Sequence, residues 1–161
     1  MLPRSLIREP KAVNAVIPAG REWGSGTVPQ RQFPIFRAAQ RLNARWEWRI
    51  AHLRSASHEF RLMAQLRLDK PNYKAGLIVK TAEGWAMVAR LESHAHAGLH
   101  CHVECSGAAL SVGEIAPSGA ITLPAWRRFH RRPHDLKSPR EWWETALRFF
   151  RANLRPSGNL L

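Results

Sequence analysis

Four of the eight histidines and both cysteines fall in Leu91–Cys105, LESHAHAGLHCHVEC. His94, His96, His100 and His102 lie within nine residues, and Glu92 and Glu104 flank them. Imidazoles and carboxylates at this density fit three readings. In the first, His100 and His102, with His94 or His96, hold Zn²⁺ and leave a fourth position for water. Glu92 or Glu104 would then orient a ligand or act as a general base. In the second there is no metal, and two imidazoles divide proton donation and acceptance. Arg90 would stabilise a developing phosphorane charge, which is the equipment for cleaving RNA through its own 2′-hydroxyl. In the third, the histidines are polar sheet surface and do no chemistry.

The first two readings need elements that gather these side chains. Phe60–Leu68 alternates apolar and polar residues, the two-residue period of a half-buried strand. KPNYK turns the chain, and AGLIVKT, GWAMVARLES and GLHCHVEC continue as strands. Met87, Ala89 and Leu91 should share one face, and Arg90 and Glu92 the other. In the last strand Cys101 and Cys105 should face the core as small hydrophobes, opposite His100, His102 and Glu104. A turn within Ala95–Gly98 would close a hairpin whose polar face carries Arg90, Glu92, His94, His100, His102 and Glu104. ALSVGEI reads as a short fifth strand. Ser138-Pro139-Arg140-Glu141 reads as a helix start, with serine as N-cap, and EWWETALRFF supplies a wide apolar face. Upstream, Ile35, Ala39, Leu42, Trp46, Ile50 and Leu53 fall three or four apart and predict a helix over 35–54, although WEWRI also suits a strand.

The expected fold is therefore α+β: an antiparallel four- or five-stranded meander covered on one face by a C-terminal helix, with an N-terminal arm and helix. Residues 1–34 read as an extended basic arm, ordered or disordered, and residues 35–161 as a single domain. With 161 residues and 45 % hydrophobic content the chain can build one core. No apolar run reaches a membrane span, and the N-terminus is broken by proline and charge, so no membrane association and a cytoplasmic location are expected.

Charge supplies the partner. There are 25 Lys and Arg against 12 Asp and Glu, a net +13. Residues 58–125 carry six of each sign, so the positive field comes from the flanks. Arginine outnumbers lysine by twenty to five, and its planar fork suits phosphate oxygens. The loop AWRRFHRRPH interleaves Arg127, Arg128, Arg131 and Arg132 with Trp126 and Phe129. Such a loop can track a phosphate backbone while a ring stacks on a base.

Three segments carry a resemblance: Arg90-Leu91-Glu92-Ser93-His94, then Gly98–His102 with Cys105, then Arg148–Arg151. Their combination resembles a group of small uncharacterised bacterial proteins over Phe60–Arg151. The chain is also similar in size and His content to His-rich toxins of toxin–antitoxin modules, though it lacks their aspartate-rich motifs. The toxin likeness implies a small ribonuclease and an antitoxin as protein partner. The leading expectation is a nucleic-acid-acting protein, RNA before DNA, with His94, His100, His102, Glu92 and Glu104 as catalytic residues. His94, His100 and His102 would be the ligands if a metal, zinc foremost, is used. Arg90, the loop arginines, Trp126 and Phe129 would bind nucleic acid. The alternatives are a non-catalytic DNA- or RNA-binding module and an accessory protein that binds a protein partner.

Overall fold

The structure is a computed structural model of the chain. It describes residues 3–36, 38–67, 69–94, 98–103, 110, 112–113, 121–122 and 138–154. In chain order the elements are α1 (Pro3–Arg8), β1 (Lys11–Ile17), β2 (Gly24–Ser25), β3 (Thr27–Val28) and β4 (Gln40–Arg41). Then come β5 (Trp46–Arg54), β6 (Glu59–Arg67), β7 (Asn72–Lys80), β8 (Trp85–His94), β9 (Gly98–Val103), β10 (Ile121–Thr122), α2 (Pro139–Phe149) and β11 (Ala152–Leu154).

The expected α+β meander is corrected by this architecture. The chain is mostly β, with two short helices among the described residues. One sheet runs β10-β9-β8-β7-β6-β5-β1-β11, with β2 paired to β5, and β3 and β4 form a second, small sheet. The large sheet is mixed, because β1 and β11 pair in parallel, and it curls into a half-barrel.

The expected helix over 35–54 is overturned at β5. Nine residue pairs join β5 to β6, from Trp46↔Arg67 to Arg54↔Glu59. The apolar stripe misled because both faces of β5 are dry. Trp48 and Ile50 enter one core, and Ala51 and Leu53 the other. When both faces of a strand are buried, its sequence loses the clean alternation that separates strand from helix. The arginines of this segment differ in exposure. Arg49 is buried, with its guanidinium carbon 5.0 Å from the Trp143 ring centroid and a hydrogen bond donated to Gly20 O. Arg45 instead lies exposed beside Asp69. Arg37 is outside the described residues.

The sheet is also covered on both faces rather than one. α2 lays Trp142, Trp143, Ala146 and Leu147 on the first face, joined by Leu6 of α1. Its start forms as the sequence expects, with the Ser138 side chain accepting from Glu141 N–H and Pro139 in the first turn. The second face is covered by Val28, Phe33 and Ile35, which pack on Trp48, Ile50, Met63 and Ile78. Thus residues 3–34 contain α1, β1, β2 and β3 and lend Leu6, Val28 and Phe33 to the cores. Gly24 makes one such contact feasible. It lies opposite Trp48, and a Cβ there would sit 2.5 Å from the indole ring.

A bulge in β8 redirects the side chains that matter most. Leu77 pairs with Ala89 and Ile78 with Met87, leaving Val88 as the extra residue. Val88 and Ala89 therefore both enter the α2 core. Beyond the bulge Ala89 and Leu91 stay on that side. Met87 lies instead on the face of Arg90 and Glu92, contrary to the simple alternation. Cys101 is buried in the α2 core, as expected. ALSVGEI, apart from Leu110, Val112 and Gly113, lies outside the described residues. No helix among the described residues is long and apolar enough to cross a membrane.

Candidate metal centre

The β8–β9 pair sets the geometry. Arg90 is opposite His102, Glu92 opposite His100, and His94 opposite Gly98. Directly opposed side chains stand about 5 Å apart at Cβ, and same-face neighbours along a strand about 7 Å. Five of these residues therefore crowd one another. The His94 and His100 ring centroids are 5.1 Å apart, and those of His100 and His102 are 4.8 Å apart. Glu92 Oε2 lies 4.0 Å from His100 Nε2 and 3.8 Å from His102 Nε2, while Glu92 Oε1 is 3.7 Å from Arg90 Nε. One donor atom each from Glu92, His94 and His100 falls within 4.8 Å of the other two.

His100 is the most constrained member, at 6 % exposure. Its Nδ1 is 3.0 Å from Gly98 O, so Nδ1–H donates to that carbonyl. The lone pair is thereby left on Nε2, the atom that faces Glu92. An Nδ1–H held by a backbone carbonyl is the usual outer support of a metal-binding imidazole. The carbonyl comes from Gly98 at φ 61°, a left-handed conformation that glycine adopts at little cost.

Of the residues expected at the site, Arg90, Glu92, His94, His100 and His102 come together. Glu104, Trp126, Arg127, Arg128, Phe129, Arg131 and Arg132 lie outside the described residues, as do His96, Cys105, His130 and His134. His52 and His58 are elsewhere: His52 Nε2 meets Gln32 Oε1 at 2.9 Å, and His58 Nδ1 meets Glu9 at 3.0 Å.

Sequence reasoning missed what adjoins the centre. A cavity of about 220 Å³ is lined by Phe33, Phe36, Gln40, Met63, Gln65, Lys74, Gly76 and Met87, and by Arg90 and Glu92 of the cluster. The run FPIF, apolar and flanked by polar residues, was the available sign that this segment covers a surface.

Comparison with protein families, curated proteins and solved structures finds no match for this chain. The chemistry therefore rests on the site itself. Two imidazoles and a carboxylate are a donor set that Zn²⁺ takes in hydrolytic centres, with a position left for water. The donors would close in slightly to reach bonds of about 2.0–2.2 Å.

Proposed function

We propose that this chain is a metal-dependent protein that acts on nucleic acid, with Glu92, His94 and His100 as its metal ligands. The observation that carries this reading is the convergence of their donor atoms within 4.8 Å. The tethered Nδ1 of His100, which presents Nε2 to Glu92, supports it.

His102 stands beside Glu92 as a further imidazole for proton transfer. Arg90 supplies positive charge at the same carboxylate. In this reading an ion held by Glu92, His94 and His100 would lower the pKa of a bound water, and the reaction would be phosphodiester hydrolysis: the water oxygen bonds to phosphorus, a P–O ester bond breaks, His102 takes the water's proton and the leaving oxygen is protonated from solvent. The net +13 and the arginine bias favour a phosphate polymer as the substrate. A toxin-like ribonuclease of the cytoplasm is the specific form of this proposal.

A second reading, a nucleic-acid-binding module without catalysis, draws on the burial of His100, which limits its reach to substrate.

The test is elemental analysis of purified protein, followed by titration with Zn²⁺, Mn²⁺, Fe²⁺ and Co²⁺ after chelation. Cleavage of labelled RNA and DNA is then assayed with and without metal. One ion per chain, lost in His100→Ala, together with metal-dependent cleavage supports the proposal. Protein that binds no ion refutes the metal centre. Metal binding with salt-sensitive nucleic-acid affinity but no cleavage favours the second reading.

A further inference from the structure

We propose that the 220 Å³ cavity beside the centre is a nucleobase pocket. The inference rests on the nucleic-acid reading above and names the part of the substrate that the protein grips.

Size comes first. Sites for drug-sized ligands occupy about 300–1,000 Å³. A cavity of about 220 Å³ suits a single flat ring system rather than a whole nucleotide. Its walls fit such a ring. Phe33 and Phe36 come from the covering segment, their centroids 6.3 Å apart and their planes tilted by 46°. Met63 and Met87 come from the sheet, and thioethers pack well on aromatic faces. Gly76 lies in the floor, where an added Cβ would stand in van der Waals contact, 3.7 Å, with Met87 and Phe33.

Polarity then separates a base from an aliphatic ligand. Gln40 and Gln65 line the same cavity, and glutamine amides can read the donor and acceptor edge of a base. Gln40 Oε1 is buried and accepts no hydrogen bond from the described residues; Arg90 Nε is buried as well, with the Glu92 carboxylate 3.7 Å away. A buried acceptor left unpaired costs stability, and an aliphatic guest would not satisfy it. A base offers ring and exocyclic groups to the amide, and its attached phosphate offers oxygens to Arg90 and Lys74, which line the same cavity. Glu92 belongs to both the cavity lining and the candidate ligand set. A nucleotide whose base enters here would therefore carry its phosphate beside the centre. Reaching this cavity requires an unstacked base, so the substrate is single-stranded.

The experiment uses the full chain, both metal-loaded and chelator-treated, in calorimetric titrations. The probes are adenosine, guanosine, cytidine and uridine 5′-monophosphates, ribose 5-phosphate and inorganic phosphate. At least one nucleotide should bind about tenfold or more tighter than ribose 5-phosphate, because stacking adds affinity for the base alone. Gly76→Val, which fills the floor, should erase that preference, and Gln40→Ala should reduce it. Circular dichroism checks the fold; if Gly76→Val is unfolded, Gln40→Ala decides. Equal affinity for nucleotides and ribose 5-phosphate overturns the pocket, as does a preference unchanged in the folded variants. The chelated arm keeps the two readings apart. A base preference without metal sustains the pocket whatever becomes of the centre, and one bound ion without a base preference sustains only the centre.

Discussion

Glu92 and His100 are cross-strand partners, with carboxylate Oε2 and imidazole Nε2 4.0 Å apart. The other imidazole nitrogen of His100 is held by Gly98 O, so the gap between Oε2 and Nε2 is framed by an acceptor on each side. An ion placed there would bind both. Glu92→Gln and His100→Ala should each weaken metal binding by about 100-fold or more, since even outer-shell changes cost about 10–100-fold. Isothermal titration with Zn²⁺ measures this, and wild-type affinity in either variant would contradict the ligand assignment.

Gly98→Ala tests the support behind His100. At φ 61° a Cβ costs about 1–2 kcal/mol. The variant should unfold at correspondingly lower urea, and its metal affinity should fall about tenfold as the carbonyl shifts away from Nδ1. Unchanged metal affinity would mean that the Gly98 contact does not position the ring.

Lys11 ties the two helices to the sheet. It is 2 % exposed, and its Nζ donates to Leu6 O at 2.6 Å and Glu9 O at 2.7 Å, and to Phe150 O at 3.0 Å. Those carbonyls lie at the ends of α1 and α2, where no intrahelical donor remains. Lys11→Met should leave them unpaired and cost about 2–4 kcal/mol, read by chemical denaturation. A loss below the error of the fit would show that water replaces the ammonium.

Lys11 also gives the fold a pH signature. Burial, ahead of the opposing Glu9 carboxylate and the neighbouring Arg151, pushes its ammonium down to about 8 from an ordinary 10.5. The unfolded chain therefore binds more protons between these values, and stability rises with pH there. The gain is complete above the ordinary value and is lost as pH falls through about 8. Tyr73, whose phenol is pushed up by burial and then by Glu141, acts oppositely above its ordinary 10. The clean window is thus pH 8 to 10. Urea midpoints across it should climb in the wild type and stay flat in Lys11→Met; parallel curves would remove Lys11 as the cause.

Ser138→Ala should cost about 1 kcal/mol, because Glu141 N–H loses its side-chain acceptor at the start of α2. Thermal unfolding of the variant checks this. Ser138→Asp should retain most of the stability, since aspartate caps equally well.

The local signals were legible wherever one face of an element was mostly polar. β6 alternates Phe60, Leu62, Ala64 and Leu66 toward the α2 core with Arg61, Met63 and Gln65 on the other face, where Met63 alone is buried, and its period can be read directly. α2 announced itself through its serine cap and aromatic face. β5 was misread because Trp48 and Ile50 face one core while Ala51 and Leu53 face another, which blurs the period. His94 and His100 were legible as candidate ligands, with Glu92 beside them as an orienter or base, for a related reason: a two-residue period puts them on one side of two neighbouring strands.

What the amino-acid order determined by itself was local: strand periods, a helix cap, a cluster of imidazoles and a net positive charge. Tertiary structure decided the rest. The Val88 bulge turned Met87 toward Arg90 and Glu92, a change of register that no two-residue count contains. The docking of Phe33 and Phe36 over Gly76 roofed a cavity beside the centre. The bulge is set by pairing with nearby Leu77 and Ile78 and the roof by partners 40 or more residues away, and the energy of both comes from burial that exists only once the sheet has curled.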